Sequence, residues 1–285
     1  MQDIKRRKNS VNSTMQITKA MKLVSTVKLQ HAKQKAESTK PYFNMMYSTV
    51  CSILGRTSNI THPYLTANDN PEKIVITITS NKGLAGGYNN NVVKEMAACG
   101  LMPEHTEVYA IGRKGYETLA RKGYRIYKDA SDIINAPLYS DAIAVSKDVL
   151  KLYTEGKVGE IYLAYTEFKN TVSQIPHVIK LLPIDVAELE IQADEETRAK
   201  ALMEYEPEAE EALDEIVPKY MASLIYGGFI EAVASENGAR MQAMDNATSN
   251  AEEMIADLSL KYNRARQSSI TQELTEIVAG ASAIE

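Results

Sequence analysis

The sequence predicts an α/β plus coiled-coil protein: an α/β domain inserted between two long N- and C-terminal helices that form an antiparallel coiled coil. Three observations predict it. Residues 3 to about 56 hold one proline, Pro41, and no glycine before Gly55, and helix formers dominate. Residues 72 to about 185 alternate β-rich runs with helix-like stretches. From Pro207 helical composition returns and persists to the end of the chain. The boundaries that follow are 1–56 for the N-terminal helix, 57–206 for the α/β domain with an acidic linker at its end, and 207–285 for the C-terminal helix.

In the first segment apolar residues recur at three and four, as Ile17, Met21, Val24 and as Ala20, Val24, Val27, the spacing of a helix face. Pro41 removes a backbone donor and predicts a bend there. Gly55 to Pro71 is rich in Asn, Thr, Pro and Asp and reads as a loop. Strands are expected at Lys73–Ser80, Glu107–Gly112, Glu160–Phe168 and Gln174–Ile184. Helices are expected at Asn89–Ala98, Lys114–Lys122 and Asp141–Tyr153. Strand–helix alternation implies a Rossmann-like, mostly parallel layer, and the missing helix between the last two strands makes that pair antiparallel.

The C-terminal segment opens with Pro207 in a first-turn position, but Pro218 predicts a kink or a restart. Gly227, Gly228 and Gly238 each cost roughly 1 kcal/mol against alanine in a helix interior. They mark either a close approach of the second helix, or a compliant point, or a local break, with Asn237-Gly238 the most break-like. Further on, Ala251, Ile255, Leu258, Tyr262 and Ala265 keep a three-four spacing that shifts phase before Ile270, Leu274, Ile277, Ala281 and Ile284. At 1.5 Å per residue the two helices reach on the order of 80 Å and 110 Å, so the longer overshoots by roughly 30 Å, or ~20 residues. Those last residues shrink to Ala279, Gly280, Ala281, Ser282 and Ala283, a thin and nearly uncharged tip. Such a tip suits a shaft seated in a partner better than a helix in water.

Composition narrows the function classes. The 44% hydrophobic and 24% charged fractions are ordinary for a globular protein, and no run of eighteen apolar residues exists to span a membrane. No signal peptide opens the chain, which predicts an intracellular protein or one at the inner side of a membrane; the lack of an organelle-type import leader favours a bacterial source or a processed mature form. Cys51 and Cys99 lack metal-like spacing and are expected to be buried thiols in a reducing compartment. The four histidines are scattered singly, so no metal site is expected. The net charge of −5 conceals a polarity: residues 1–40 carry ten Lys/Arg against Asp3 and Glu37, a balance of +8. Residues 188–215 carry twelve acids against Arg198 and Lys200, a balance of −10. A basic arm can bind nucleic acid, but no aromatic residue precedes Tyr42 to stack on bases, and a solvated helix face is the simpler reading.

Little here looks like chemistry. The turn from Asn81 to Asn89 follows a strand and opens a helix, where a phosphate could sit, yet it matches neither Gly-rich phosphate-binding pattern. It reads instead as a turn that lets helix and strand pack closely. No nucleophile, base and orienting group can be assembled, and no cofactor is implied.

The helical segments carry a resemblance. Lys5-Arg6-Arg7 and Ile17-Thr18-Lys19-Ala20-Met21-Lys22-Leu23-Val24 form one block, and Ser235-Glu236, Ala239-Arg240-Met241 and Ala243 to Thr248 a second. Tyr262-Asn263 and Arg266-Gln267 lead into Ile270-Thr271, Glu273, Glu276 and Gly280-Ala281-Ser282. Together they resemble the gamma subunit of bacterial F-type ATP synthase over both helices, while the middle domain agrees in pattern more than in residues. Lys8 departs from the family, which usually places an apolar residue there.

The resemblance implies a noncatalytic central-stalk rotor that couples transmembrane proton or sodium flow to ATP synthesis or hydrolysis. Its implied partners are three alpha and three beta subunits, the epsilon subunit and the c-ring, with membrane contact only through the ring, at the cytoplasmic face of a bacterial plasma membrane. It implies that Lys19, Met21 and Lys22 face the beta subunits' acidic lever loop. Arg240, Arg266, Gln267, Thr271 and Glu273 would contact the hexamer's collar, and Ala279, Gly280 and Ala281 would lie in the bearing. Two rivals stand beside it: a coiled-coil adapter without rotary function, and a nucleotide-binding α/β enzyme using Gly83 to Gly87.

Overall fold

The computed structural model describes residues 1–54, 62–66, 68–184 and 209–282. The acidic stretch expected at 185–206 lies outside them, as do residues 55–61 and 67 of the predicted loop. Two compact units form, one from residues 1–25 and 240–285, the other from 26–239.

The larger unit is built on a five-stranded sheet of order β3-β2-β1-β4-β5. Its strands are β1 (Lys73–Ile78), β2 (Thr106–Ile111), β3 (Arg125–Asp129), β4 (Glu160–Phe168) and β5 (Gln174–Leu182). The first four pair in parallel, and β5 returns antiparallel to β4, as the missing crossover helix required. The helices α2 (Tyr88–Ala98), α3 (Arg113–Arg121) and α4 (Tyr139–Thr154) provide the crossovers.

Alternation along β1 divides the core. Ile74, Ile76 and Ile78 pack on one face with Val145 and Val149 of α4, while Val75 packs on the other with Val92 and Met96 of α2 and Leu119 of α3. On the first face the sheet also meets the last helix, α5 (Ala209–Ser282), through Leu213, Val217, Met221, Ile225 and Phe229, all fully buried.

Three points that the sequence left open or missed have physical causes. Strand β3 and a 3-10 turn at Ser131–Asn135 went unpredicted. RIYKD is an edge strand whose residues are mostly exposed, so it shows no alternation, and charges on an edge discourage further pairing. Second, α1 (Gln2–Leu54) continues through Pro41, and α5 continues through Pro218 and the glycines. Around Pro218 the buried neighbours Leu213, Val217 and Met221 hold the helix against a proline cost of about 3 kcal/mol. The glycines are places of close approach: a Cβ on Gly227 would come 3.0 Å from the Phe43 ring, and one on Gly238 3.0 Å from the Phe168 ring. At Gly228 it would meet Ile78 at 3.1 Å and Leu163 at 3.2 Å. Third, Cys99 is exposed, because it caps the C-terminus of α2 outside the sheet core.

One part-buried polar contact has a pH consequence. The Tyr109 hydroxyl donates to Asp148 at 3.1 Å, and Lys128 Nζ reaches the same carboxylate at 2.6 Å. Burial first, then the Asp148 charge, pushes the Tyr109 phenol up to about 12. A raised folded value favours the neutral phenol, so its stabilisation is complete below the unfolded value of about 10 and is lost as pH rises towards 12. Tyr109→Phe is expected to flatten that alkaline decline. Urea midpoints across pH 9 to 12 that fall equally in both proteins would refute it.

Candidate partner-contact surfaces

The smaller unit is an antiparallel coiled coil of the start of α1 and the end of α5. On α1 Ile4, Lys8, Val11, Met15, Thr18, Lys22 and Ser25, all partly or fully buried, follow a four-three alternation, with Met21 half-buried beside it. On α5 the matching series is Met244, Thr248, Ala251, Ile255, Leu258, Tyr262, Ala265 and Ser269, with Ala247 and Ser259 partly buried beside it. The apolar spacing read from sequence, Ala251 to Ala265, is therefore the α5 seam. On α1 the face defined by Ile17 and Val24 is not the seam. It points outward: Ile17, Leu23, Val24 and Val27 are 54–63% exposed. The seam instead mixes Ile4, Val11 and Met15 with polar residues that periodicity of apolar residues passes over, including Lys8, which sits half-buried on it.

Two contacts cross the seam and show its register. Thr18 and Thr248 bring their hydroxyls within 2.8 Å, and Lys22 Nζ lies 2.6 Å from Asp245. Carried back along the antiparallel pair, the start of α1 at Gln2 falls opposite about Arg264, so the helix from Arg266 onward has no α1 residue beside it. That end spans on the order of 25 Å at 1.5 Å per residue. Its apolar residues are bare: Ile270, Leu274, Ile277 and Val278 are 47–68% exposed. The phase shift seen before Ile270 marks the place. Ser269 continues the seam, while Ile270 begins a stripe rotated off it.

The residues singled out from sequence separate into groups. Lys19, Arg266, Gln267, Thr271, Glu273 and Ala279 are exposed, and Met21 is half-buried. Lys22 is held by Asp245 within the chain. Arg240 is 9% exposed and already engaged within the chain, so it offers a partner less surface than the exposed residues singled out. Gly280 and Ala281 lie within α5, their side chains outside the described residues.

The glycine turn is structural, though not for the reason read from sequence. A Cβ on Gly83 or Gly86 would meet nothing within 4 Å; Gly86 serves its positive φ of 58°. Close packing falls instead to Gly112 and Gly115, which abut Thr79. Ser80 and Asn89 bond each other across the turn at 2.8 Å. At the start of α3 the N–H groups of Arg113, Lys114 and Gly115 go to Asn81 Oδ1, the Ser80 carbonyl and Thr79 Oγ1. An anion finds those donors taken. A cleft of about 510 Å³ beside α3 is lined by Arg113, Glu117, Asp129 and Ser131. Within it Glu117 is held by Arg113 and Lys114, and Asp129 accepts the Ser131 N–H at 3.0 Å.

A two-helix seam of mixed polarity, with bare apolar faces on both helices, defines a coiled-coil assembly protein. The family model described as ATP synthase matches residues 1–284. The ATP synthase gamma chain of Lachnoclostridium phytofermentans is 62% identical over 288 residues, covering 100% of this chain and 99% of its own. The sodium ion specific ATP synthase gamma chain of Acetobacterium woodii is 39% identical, covering 100% and 98%. A chain of the Euglena gracilis mitochondrial ATP synthase shares the fold at a TM-score of 0.68 and 17% identity, covering 99% of this chain and 94% of that one. The chain belongs to the ATP synthase gamma-chain family, and is accordingly a noncatalytic rotor subunit of an F-type ATP synthase.

Proposed function

We propose that the coiled coil turns inside the alpha/beta hexamer and couples ion flow through the c-ring to ATP synthesis and hydrolysis, at the cytoplasmic face of a bacterial plasma membrane. The observation that carries this reading is the end of α5, which runs past the start of α1 with Ile270, Leu274, Ile277 and Val278 uncovered. Bare apolar groups at regular helical spacing call for a surrounding partner wall. Polar residues accompany this end: in this reading Arg266, Gln267, Thr271 and Glu273 make the collar contacts, and Ala279, Gly280 and Ala281 thin the helix for a bearing. On α1, Lys19 and Met21 address the beta lever loop, together with the exposed apolar residues Ile17, Leu23, Val24 and Val27. Rod orientation then biases each beta subunit through differential contact, which is allostery in the thermodynamic sense.

Arg266→Glu tests the collar assignment. Because the residue is exposed, thermal stability should move by no more than about 0.5 kcal/mol. ATP-driven ion pumping by the assembled complex should fall severalfold, since reversing a charge at a complementary rim turns attraction into repulsion. Pumping equal to the parent's would overturn the assignment.

A further inference from the structure

The seam between α1 and α5 is of mixed polarity. Ile4, Val11 and Met15 on α1 and Met244, Ile255, Leu258 and Tyr262 on α5 are interspersed with Lys8, Thr18, Lys22, Ser25, Thr248 and Ala251. Apolar burial is non-directional, so it alone would tolerate sliding by a turn. Polar groups in a seam do not, because their partners occupy fixed points.

Thr18 is 8% exposed and Thr248 8% exposed, and their hydroxyl oxygens are 2.8 Å apart. Each also reaches a carbonyl of its own helix: Thr18 Oγ1 lies 3.0 Å from the Met15 oxygen and Thr248 Oγ1 2.8 Å from the Met244 oxygen. Two hydroxyl protons therefore make two bonds. One threonine donates to its own carbonyl, and the other donates across the seam to the first. No proton is left without an acceptor, whichever way the chain runs. One turn along α1, Lys22 spans to Asp245 at 2.6 Å. A slip of one turn would set Lys22 opposite Thr248 or Met241, and Thr18 opposite Ala251 or Met244, and both interhelical contacts would be gone.

We propose that Thr18, Thr248, Lys22 and Asp245 form a register key that fixes the axial alignment of the two helices. These are positioning residues. Their consequence for coupling rests on the rotor reading, but the alignment itself does not. Losing one bond and one exposed ion pair changes the balance between registers by on the order of tenfold.

The test is thiol cross-linking in the assembled complex, with Cys51 and Cys99 replaced by serine. Val11→Cys with Ile255→Cys reports the native register, and Val11→Cys with Leu258→Cys reports a one-turn offset. With the key intact the native pair should dominate. With Thr18→Val, Thr248→Val and Asp245→Ala combined, the offset yield should rise about fivefold or more relative to the native one. With Thr18→Ser and Thr248→Ser, which keep both hydroxyls, the parent ratio should return. An unchanged ratio in the valine–alanine variant, in complexes that still assemble, overturns the key. A shifted ratio with undiminished ATP-driven pumping upholds the key and overturns the coupling role given to this rod.

Discussion

Replacing Leu23 and Val24 together with glutamate will leave the chain folded and disable the assembled complex. The two side chains are 63% and 57% exposed, so removing them opens no cavity, and glutamate is the better helix former than valine. Stability of the chain should shift by about 0.5 kcal/mol per site or less. In the complex the same change would place two carboxylates where an apolar partner surface is expected. Central contacts of that kind are worth about 2 kcal/mol or more each. ATP synthesis should fall by at least about tenfold, or the chain should fail to co-purify with its larger partners. Normal synthesis would remove this face from the contact surface.

The second large effect concerns the sheet. Gly112 ends β2 with φ at 108°, and a Cβ there would lie 2.1 Å from the Thr79 carbonyl oxygen. Backbone cannot retreat as a side-chain tip can, so Gly112→Ala forces β1 and β2 apart where Gly115 also packs on Thr79. The expected loss exceeds about 4 kcal/mol, enough to leave no folded α/β unit in many conditions. Gly123→Ala is the control: φ is 87° there, but nothing lies within 4 Å of the added carbon. It should cost only the conformational strain, about 1–2 kcal/mol. Equal urea midpoints for the two variants would defeat the steric argument.

The elements with strong local periodicity were legible from residues alone. β4 was read with its exact bounds, Glu160–Phe168, because its alternation is buried on both sheet faces. β3 was not, since an edge strand of Arg, Lys and Asp has nothing to alternate. The prolines and glycines left alternatives open for a common reason. Propensity prices each residue alone, while Val217 and Met221 beside Pro218, and Phe168 beside Gly238, hold the helix through tertiary packing. The site divided the same way. The unaccompanied end of α5 followed from helix lengths. The α1 seam did not, because its contacts include a threonine pair and a lysine, and the conspicuous apolar stripe of Ile17 and Val24 faces outward. Arg240 shows the limit of reading charge as exposure.

The uncovered stretch at the end of α5 bears on how a cell must handle this polypeptide. With Ile270, Leu274, Ile277 and Val278 open to water, a surplus copy made without hexamer to receive it is prone to self-association and to quality-control proteases. Synthesis matched to subunit supply is therefore a requirement written into its last turns.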